Sequence, residues 1–250
     1  MNLSQELLLF GVGAFAGYIN VMAGGGSLLT VPAMLFMGLP APVANGTNRI
    51  AILAQSLVSC AVFLRKGLGE LKLSLTLGLA ALPGALIGAL LGVRLEGVWF
   101  NRLLAVIMIA VMLMMFFERR TITKDINSDS RPRRVILTHV LMLGVGFYGG
   151  IIQVGVGFII MPILHRVMGL DLLRVNMHKI FLIVPFTVLS LIIFAGQAGV
   201  SWTAGFFLAL GNALGGWLGT HMMISRGEKI IKVVFNLVLA AFIVKLIFFS

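Results

Sequence analysis

The chain carries the same apolar, glycine-broken segment twice. The first copy, GVGAFAGYINVMAGGGSLLTVPAMLFMG, fills 11–38, and the second, GVGFYGGIIQVGVGFIIMPILHRVMG, fills 144–169. Gly13, Phe15, Gly17 and Asn20 align with Gly146, Tyr148, Gly150 and Gln153, and Pro32 aligns with Pro162. A helix broken inside an apolar segment frees backbone N–H and C=O groups. In a bilayer these can face only protein or a water-lined cavity. Paired breaks at corresponding positions of two halves point to the binding site of a secondary transporter.

The surroundings of the breaks set the class. The apolar runs are continuous and long enough to cross a ~30 Å hydrocarbon core, which takes ~20 helical residues. Membrane barrels would show ~10-residue alternating segments instead. Segments can be drawn at 5–22, 27–37, 43–64, 73–94 and 99–117, then at 135–153, 157–168, 174–195, 203–224 and 230–249. The expected fold is therefore all-α and polytopic. It has a first membrane repeat over 1–117, a polar basic linker over 118–134 (ERRTITKDINSDSRPRR) and a second repeat over 135–250. The N-terminal MNLSQELLLFGVG has no basic n-region or cleavage site and reads as the start of the first membrane segment. GALIGALLG at 84–92 and GGWLGTHMM at 215–223 also correspond. Small residues four apart let helix backbones approach, so packing is their expected role.

The short segments 27–37 and 157–168 cover about half the core at 1.5 Å per residue. Each glycine-broken piece is then either one tilted, broken crossing or a hairpin that enters and leaves on one side. Charge favours the hairpin. With hairpins, fifteen of the nineteen basic residues fall on the side of the central linker. Arg49, Arg94, Arg102 and Lys245 fall on the other. The positive-inside rule then puts the linker in the cytoplasm and both termini outside. Each half has an odd number of full crossings, so the two repeats are inverted. The net charge of +11 thus reports membrane orientation, and nucleic-acid binding is excluded as its reason. Cys60, the single cysteine, allows no intrachain disulfide.

Two constellations could carry chemistry. Asn20 precedes Gly24, Gly25, Gly26 and Ser27, and the half-helix opening near Ser27 offers free N–H groups and a positive dipole end to an anion. Its counterpart is Gln153 with Gly155 and Gly157, where glycines are sparser. The plain alternative is a tight turn without a ligand. The second constellation is Asn45, Gly46, Thr47, Asn48 and Arg49, matched by Asn176, Met177, His178 and Lys179. Each opens a long apolar helix with a cation about one turn in. That cation opposes its own helix dipole, so an acidic partner or an anionic ligand would relieve it. A lipid-headgroup contact or a snorkelling side chain is the plain reading. His178 could titrate during transport. His139, His165, His178 and His221 lack metal-ligand spacing, so no metal or other cofactor is expected. Ser27, His178 and Asp171 form no hydrolase pattern, and no enzymatic activity is expected.

The pattern GxxGxxNxMAGGGSLLxxP, followed by AxxANGTNR and a degenerate second copy, resembles the TauE/SafE family of sulfite and organosulfonate exporters. The residues that carry it are Gly13, Gly17, Asn20, Ala23, Gly24, Gly25, Gly26, Ser27, Leu28, Leu29 and Pro32, then Ala44 to Arg49. The resemblance implies a bacterial plasma-membrane (inner-membrane) permease of two repeats moving small anions such as sulfite, sulfoacetate or related compounds. In this chain the second copy lacks the fuller glycine run, and Met177 and His178 replace a Thr-Ser type pair. The expected function is export of a small sulfur-containing or organic anion by alternating access. The coupling ion, proton or sodium, stays open, as does homodimerisation. A passive anion channel and a non-transporting membrane assembly subunit are the alternatives.

Overall fold

A computed structural model describes residues 1–95, 97–117 and 131–225. Most of the central linker and the last apolar segment, 230–249, lie outside the described residues. The described residues are helical: α1 (Leu3–Ala23), α2 (Ser27–Phe36), α3 (Ala41–Arg65), α4 (Leu71–Gly92), α5 (Gly97–Phe117), α6 (Arg131–Ile151), α7 (Val156–Pro162), α8 (Leu172–Gln197) and α9 (Trp202–Ser225). A π-helical turn, Ile163–Val167, links α7 to α8. Leu3–Ala23, Ala41–Arg65, Leu71–Gly92, Arg134–Ile151 and Leu172–Gln197 are long and apolar enough to cross a membrane.

Local chemistry sets the helix ends. Asn2 and Gln5 form a capping box at the start of α1, with Asn2 N donating to Gln5 Oε1 at 3.1 Å. Gly24 ends α1 at φ +86°, a left-handed conformation that a Cβ would oppose. Asp171 caps α8 by accepting from Arg174 N at 3.0 Å. α6 begins at Arg131, within the stretch that composition assigns to the linker. Pro132 falls in its first turn, where the missing N–H costs no helical bond. Pro32 and Pro162 both lie within the short helices α2 and α7, and the chain continues from Pro162 directly into the π-helical turn.

Packing runs mainly between the halves, through the glycine rows. Gly211 meets Phe10 and Ala14, Gly215 meets Ala14 and Tyr18, and Gly219 meets Tyr18 and Val21, so α9 runs parallel to α1. Likewise Gly84 meets Leu143 and Phe147, and Gly88 meets Phe147 and Ile151, so α4 runs parallel to α6. Any larger residue in these rows would strike backbone, which is why the helices approach so closely. In contrast, α3 and α8 are antiparallel. Gly46 near the start of α3 packs on Phe194 near the end of α8. At the other end of this pair, Cys60 and Phe63 of α3 cluster with Met177 and Ile180 of α8.

The polarity is inside out. Leu3, Leu7, Leu75, Leu79, Leu86, Phe206, Leu210 and Trp217 are exposed. Asn45, Thr47, Asn48, Arg49, Gln55, Gln153, Asn176, His178, Lys179 and Thr187 are buried. Lipid-like surroundings account for the first set, and the second is what a membrane protein keeps for its interior. Arg49 and Lys179 are therefore core residues, so neither reports loop charge on either side.

Candidate functional site

The two chain breaks meet. A Cβ built on Gly24 would stand 2.8 Å from Gly157 Cα, so the backbones of the two turns are in direct contact. Around Gly24 the chain doubles back, and Gly26 packs beside Asn20, where a Cβ would lie 2.6 Å from Asn20 Cβ. Asn20 holds this turn. Its Oδ1 accepts from Gly26 N at 3.4 Å, and its Nδ2 donates to Gln55 Oε1 of α3 at 2.7 Å. Gly25, Gly26 and Ser27 are buried at the start of α2. Further along α2, Thr30 donates to Asn48 Oδ1.

The second break is built differently. Gln153 takes φ +55°, a left-handed conformation rare for a residue with a long side chain, and Gly155 follows at φ +69°. Side-chain bonds keep Gln153 there. Its Nε2 donates to Thr187 Oγ1 at 2.6 Å, and its Oε1 accepts from Arg49 at 2.9 Å. The Tyr148 hydroxyl donates to Val154 O and so ties the turn back to α6.

Arg49 and Lys179 reach across the halves in the same way. Arg49, fully buried on α3, donates to Gly149 O at 3.0 Å and Gly150 O at 2.6 Å, the last turn of α6. Its guanidinium also lies 4.4 Å from the ring centroid of Phe194. Lys179, on α8, donates from Nζ to Asn20 O and Val21 O at 3.0 Å each, the last turn of α1. It also donates to Asn176 Oδ1 at 2.6 Å. Each cation thus sits at the negative, C-terminal end of the helix broken in the opposite half. The repulsion from its own helix start, for which the sequence suggests an acidic or anionic partner, is met by these carbonyl oxygens.

Other candidate residues join the same layer. Asn45 donates to Ile151 O at 2.7 Å, beside the second break. Thr47 Oγ1 accepts from Ser201 N at 2.9 Å, which ties α3 to the start of α9 rather than to a break. His178 points away from the breaks, with Nδ1 2.7 Å from Ser74 Oγ on α4. Several buried polar atoms have no hydrogen-bond partner, among them Asn45 Oδ1, Asn48 Nδ2, Arg49 Nε and His178 Nε2. Asn20 differs from the other candidate residues in being partly exposed. Among the described residues no group of three or more His, Cys, Asp or Glu is placed to hold a metal.

Gln55, Thr187 and Thr30 belong to the site although no sequence motif marks them. The signal available was an amide or hydroxyl in the middle of an apolar helix, where a polar group needs a partner.

A family model described as "Sulfite exporter TauE/SafE" matches residues 9–246. A "Probable membrane transporter protein ORF9" from Sinorhizobium sp is 32% identical over 248 residues, covering 98% of this chain and 94% of that protein. A "Probable membrane transporter protein" from Haemophilus influenzae is 28% identical over 237 residues, covering 93% of this chain and 91% of that protein. The "Probable membrane transporter protein YfcA" of Escherichia coli K12 is 27% identical over 249 residues, with 97% and 90% covered. No solved structure matches the chain.

Proposed function

The chain belongs to the sulfite exporter TauE/SafE family, and from that membership we propose that it is a secondary transporter of small sulfur-containing or organic anions. The two repeats are inverted, and each glycine-broken piece is a re-entrant hairpin whose tip lies near the middle of the membrane. Supporting this, each long α3-like helix is antiparallel to its counterpart, and the tips touch at Gly24 and Gly157. The substrate site lies at this junction, between the start of α2 and the start of α3.

The observation that carries the reading is the cross-braced pair of buried cations. A permanent charge in a membrane interior is costly and is kept where function needs it. Arg49 is bonded by neutral oxygens and keeps a buried Nε without a hydrogen-bond partner, as does Asn48 at Nδ2. Both atoms are donors, and an anion is the ligand that uses donors and compensates cationic charge. Asn20, partly exposed and bonded to Gly26, is the candidate residue at the first tip that is least enclosed by protein. Rocking one repeat against the other about the glycine contact would expose the site to each side in turn.

The test is thermal stabilisation of the purified full chain by sulfite, sulfoacetate and chloride. Sulfite or sulfoacetate is expected to raise Tm, and Asn20→Ala and Asn48→Ala to abolish that rise. Equal stabilisation by all three anions, or a rise untouched by both substitutions, would contradict the proposed site.

A further inference from the structure

At the end of the bundle where α3 passes into α4, a histidine faces a carboxylate across the two halves. His178 is wholly buried on α8, and its Nε2 lies 3.6 Å from Glu70 Oε2. Glu70 stands at the start of α4 and is about half exposed, so its carboxylate is in contact with solvent. Its other oxygen, Oε1, faces Arg174 Nη1 at 3.6 Å.

Ser74 links the two groups. Its Oγ lies 3.1 Å from Glu70 O and 2.7 Å from His178 Nδ1. One hydroxyl proton serves one of these two contacts, so the neutral ring can carry its own proton on either nitrogen. Nε2 is buried, makes no hydrogen bond and faces Glu70 Oε2 at 3.6 Å. Protonation of the ring puts an N–H on Nε2 and makes this contact an ion pair.

We propose that His178 and Glu70 form a proton-binding site that couples proton movement to anion transport, a proposal that rests on the transporter reading above. The proton passes from water, by way of the exposed Glu70 carboxylate, to the imidazole, and the imidazolium then closes on Glu70. The charged groups that act on this ring are Glu70 from α4, and Arg174 and Asp171 from its own helix. Protonation would join α4 of the first half to α8 of the second. It would also add positive charge one residue from Lys179, which holds the end of α1. Any gain in anion affinity on protonation is matched, by linkage, by an equal gain in proton affinity on anion binding.

The experiment uses full-chain protein in proteoliposomes with labelled sulfite as the probe. Two quantities are read from each preparation across a series of pH values: sulfite exchange at equal pH, and uptake under a one-unit pH gradient. Their ratio removes differences in folding or turnover. The wild-type ratio is expected to exceed that of His178→Gln by up to about tenfold, the most that one proton per anion can drive across one pH unit. Glu70→Gln, at an exposed position, is expected to keep a gradient response whose pH midpoint has moved lower, because the carboxylate that favours the imidazolium is gone. Both variants read against the same sulfite chemistry, so protonation of sulfite itself cancels. Equal ratios in wild type and His178→Gln overturn the coupling site. An unmoved midpoint in Glu70→Gln overturns the paired site. A wild type that exchanges no sulfite overturns the transporter reading for that anion, and this proposal with it. Exchange without any gradient response overturns this proposal alone.

Discussion

Gly24 and Gly157, each four residues beyond the polar residues Asn20 and Gln153, touch each other backbone to backbone. Substituting either glycine forces atoms into backbone that cannot yield. Gly157→Ala tests the approach alone, and Gly24→Ala adds a left-handed φ of +86°. Both should destabilise, Gly157→Ala by about 1–3 kcal/mol and Gly24→Ala by more. Fluorescence thermal shift in detergent measures this, and an unchanged Tm for both would show that the turns do not meet.

Arg49 is held by three oxygens through a planar, forked donor set, which lysine cannot reproduce. Arg49→Lys should lose substrate-induced stabilisation and lower Tm. Each hydrogen bond to a charged group lost from such a set typically costs about 1.5–3 kcal/mol. Lys179→Arg is the reciprocal test. It must fit a larger head against Asn20 O and Val21 O, so it should also impair transport. A fully active Arg49→Lys protein would remove the bracing role.

Gln153 combines backbone strain with side-chain bonds to Arg49 and Thr187. Replacing it separates the two. Gln153→Ala loses the bonds and keeps the strain, while Gln153→Gly loses both. The glycine variant should be the more stable of the pair, by about 1 kcal/mol. Equal stabilities measured by denaturation in detergent would mean the turn is not left-handed in the folded protein.

The glycine rows predict a sharp positional contrast. Gly84→Leu and Gly215→Leu push a side chain into the carbonyls of Leu143 and Ala14 and should prevent a stable fold. Gly144→Ala meets nothing within 4 Å and should be neutral or stabilising by roughly 0.5–1 kcal/mol. Size-exclusion profiles of the purified variants check both halves of this contrast.

Much of this architecture is legible in the sequence because it rests on local rules. Runs of apolar residues give helices, and Gly24 and Gly155 give the breaks. Glycine four apart at Gly84 and Gly88, and again at Gly215 and Gly219, gives the close pairs. The bracing is not legible, because it depends on partners distant in sequence. Nothing in the sequence near Arg49 announces that its partners are the carbonyls of Gly149 and Gly150, or that Lys179 binds those of Asn20 and Val21. The dipole argument asks for an acidic or anionic partner for each cation, and it cannot say that carbonyl oxygens at helix ends supply acceptors instead. Likewise His178 reads as part of a matched motif, yet its side chain turns to Ser74 and Glu70 on another helix.

The proposed alternating access at the joined tips would separate this protein from a channel with the same half-helices. Counterflow decides between them: proteoliposomes loaded with unlabelled sulfite are diluted into a trace of labelled sulfite. A transporter carries label inward while its outward path is occupied, so internal label should rise above its equilibrium level and then fall. Asn20→Ala and Asn48→Ala should flatten that overshoot. A monotonic approach to equilibrium in the wild type, equal to that of the variants, would contradict a transport site at the meeting of the two breaks.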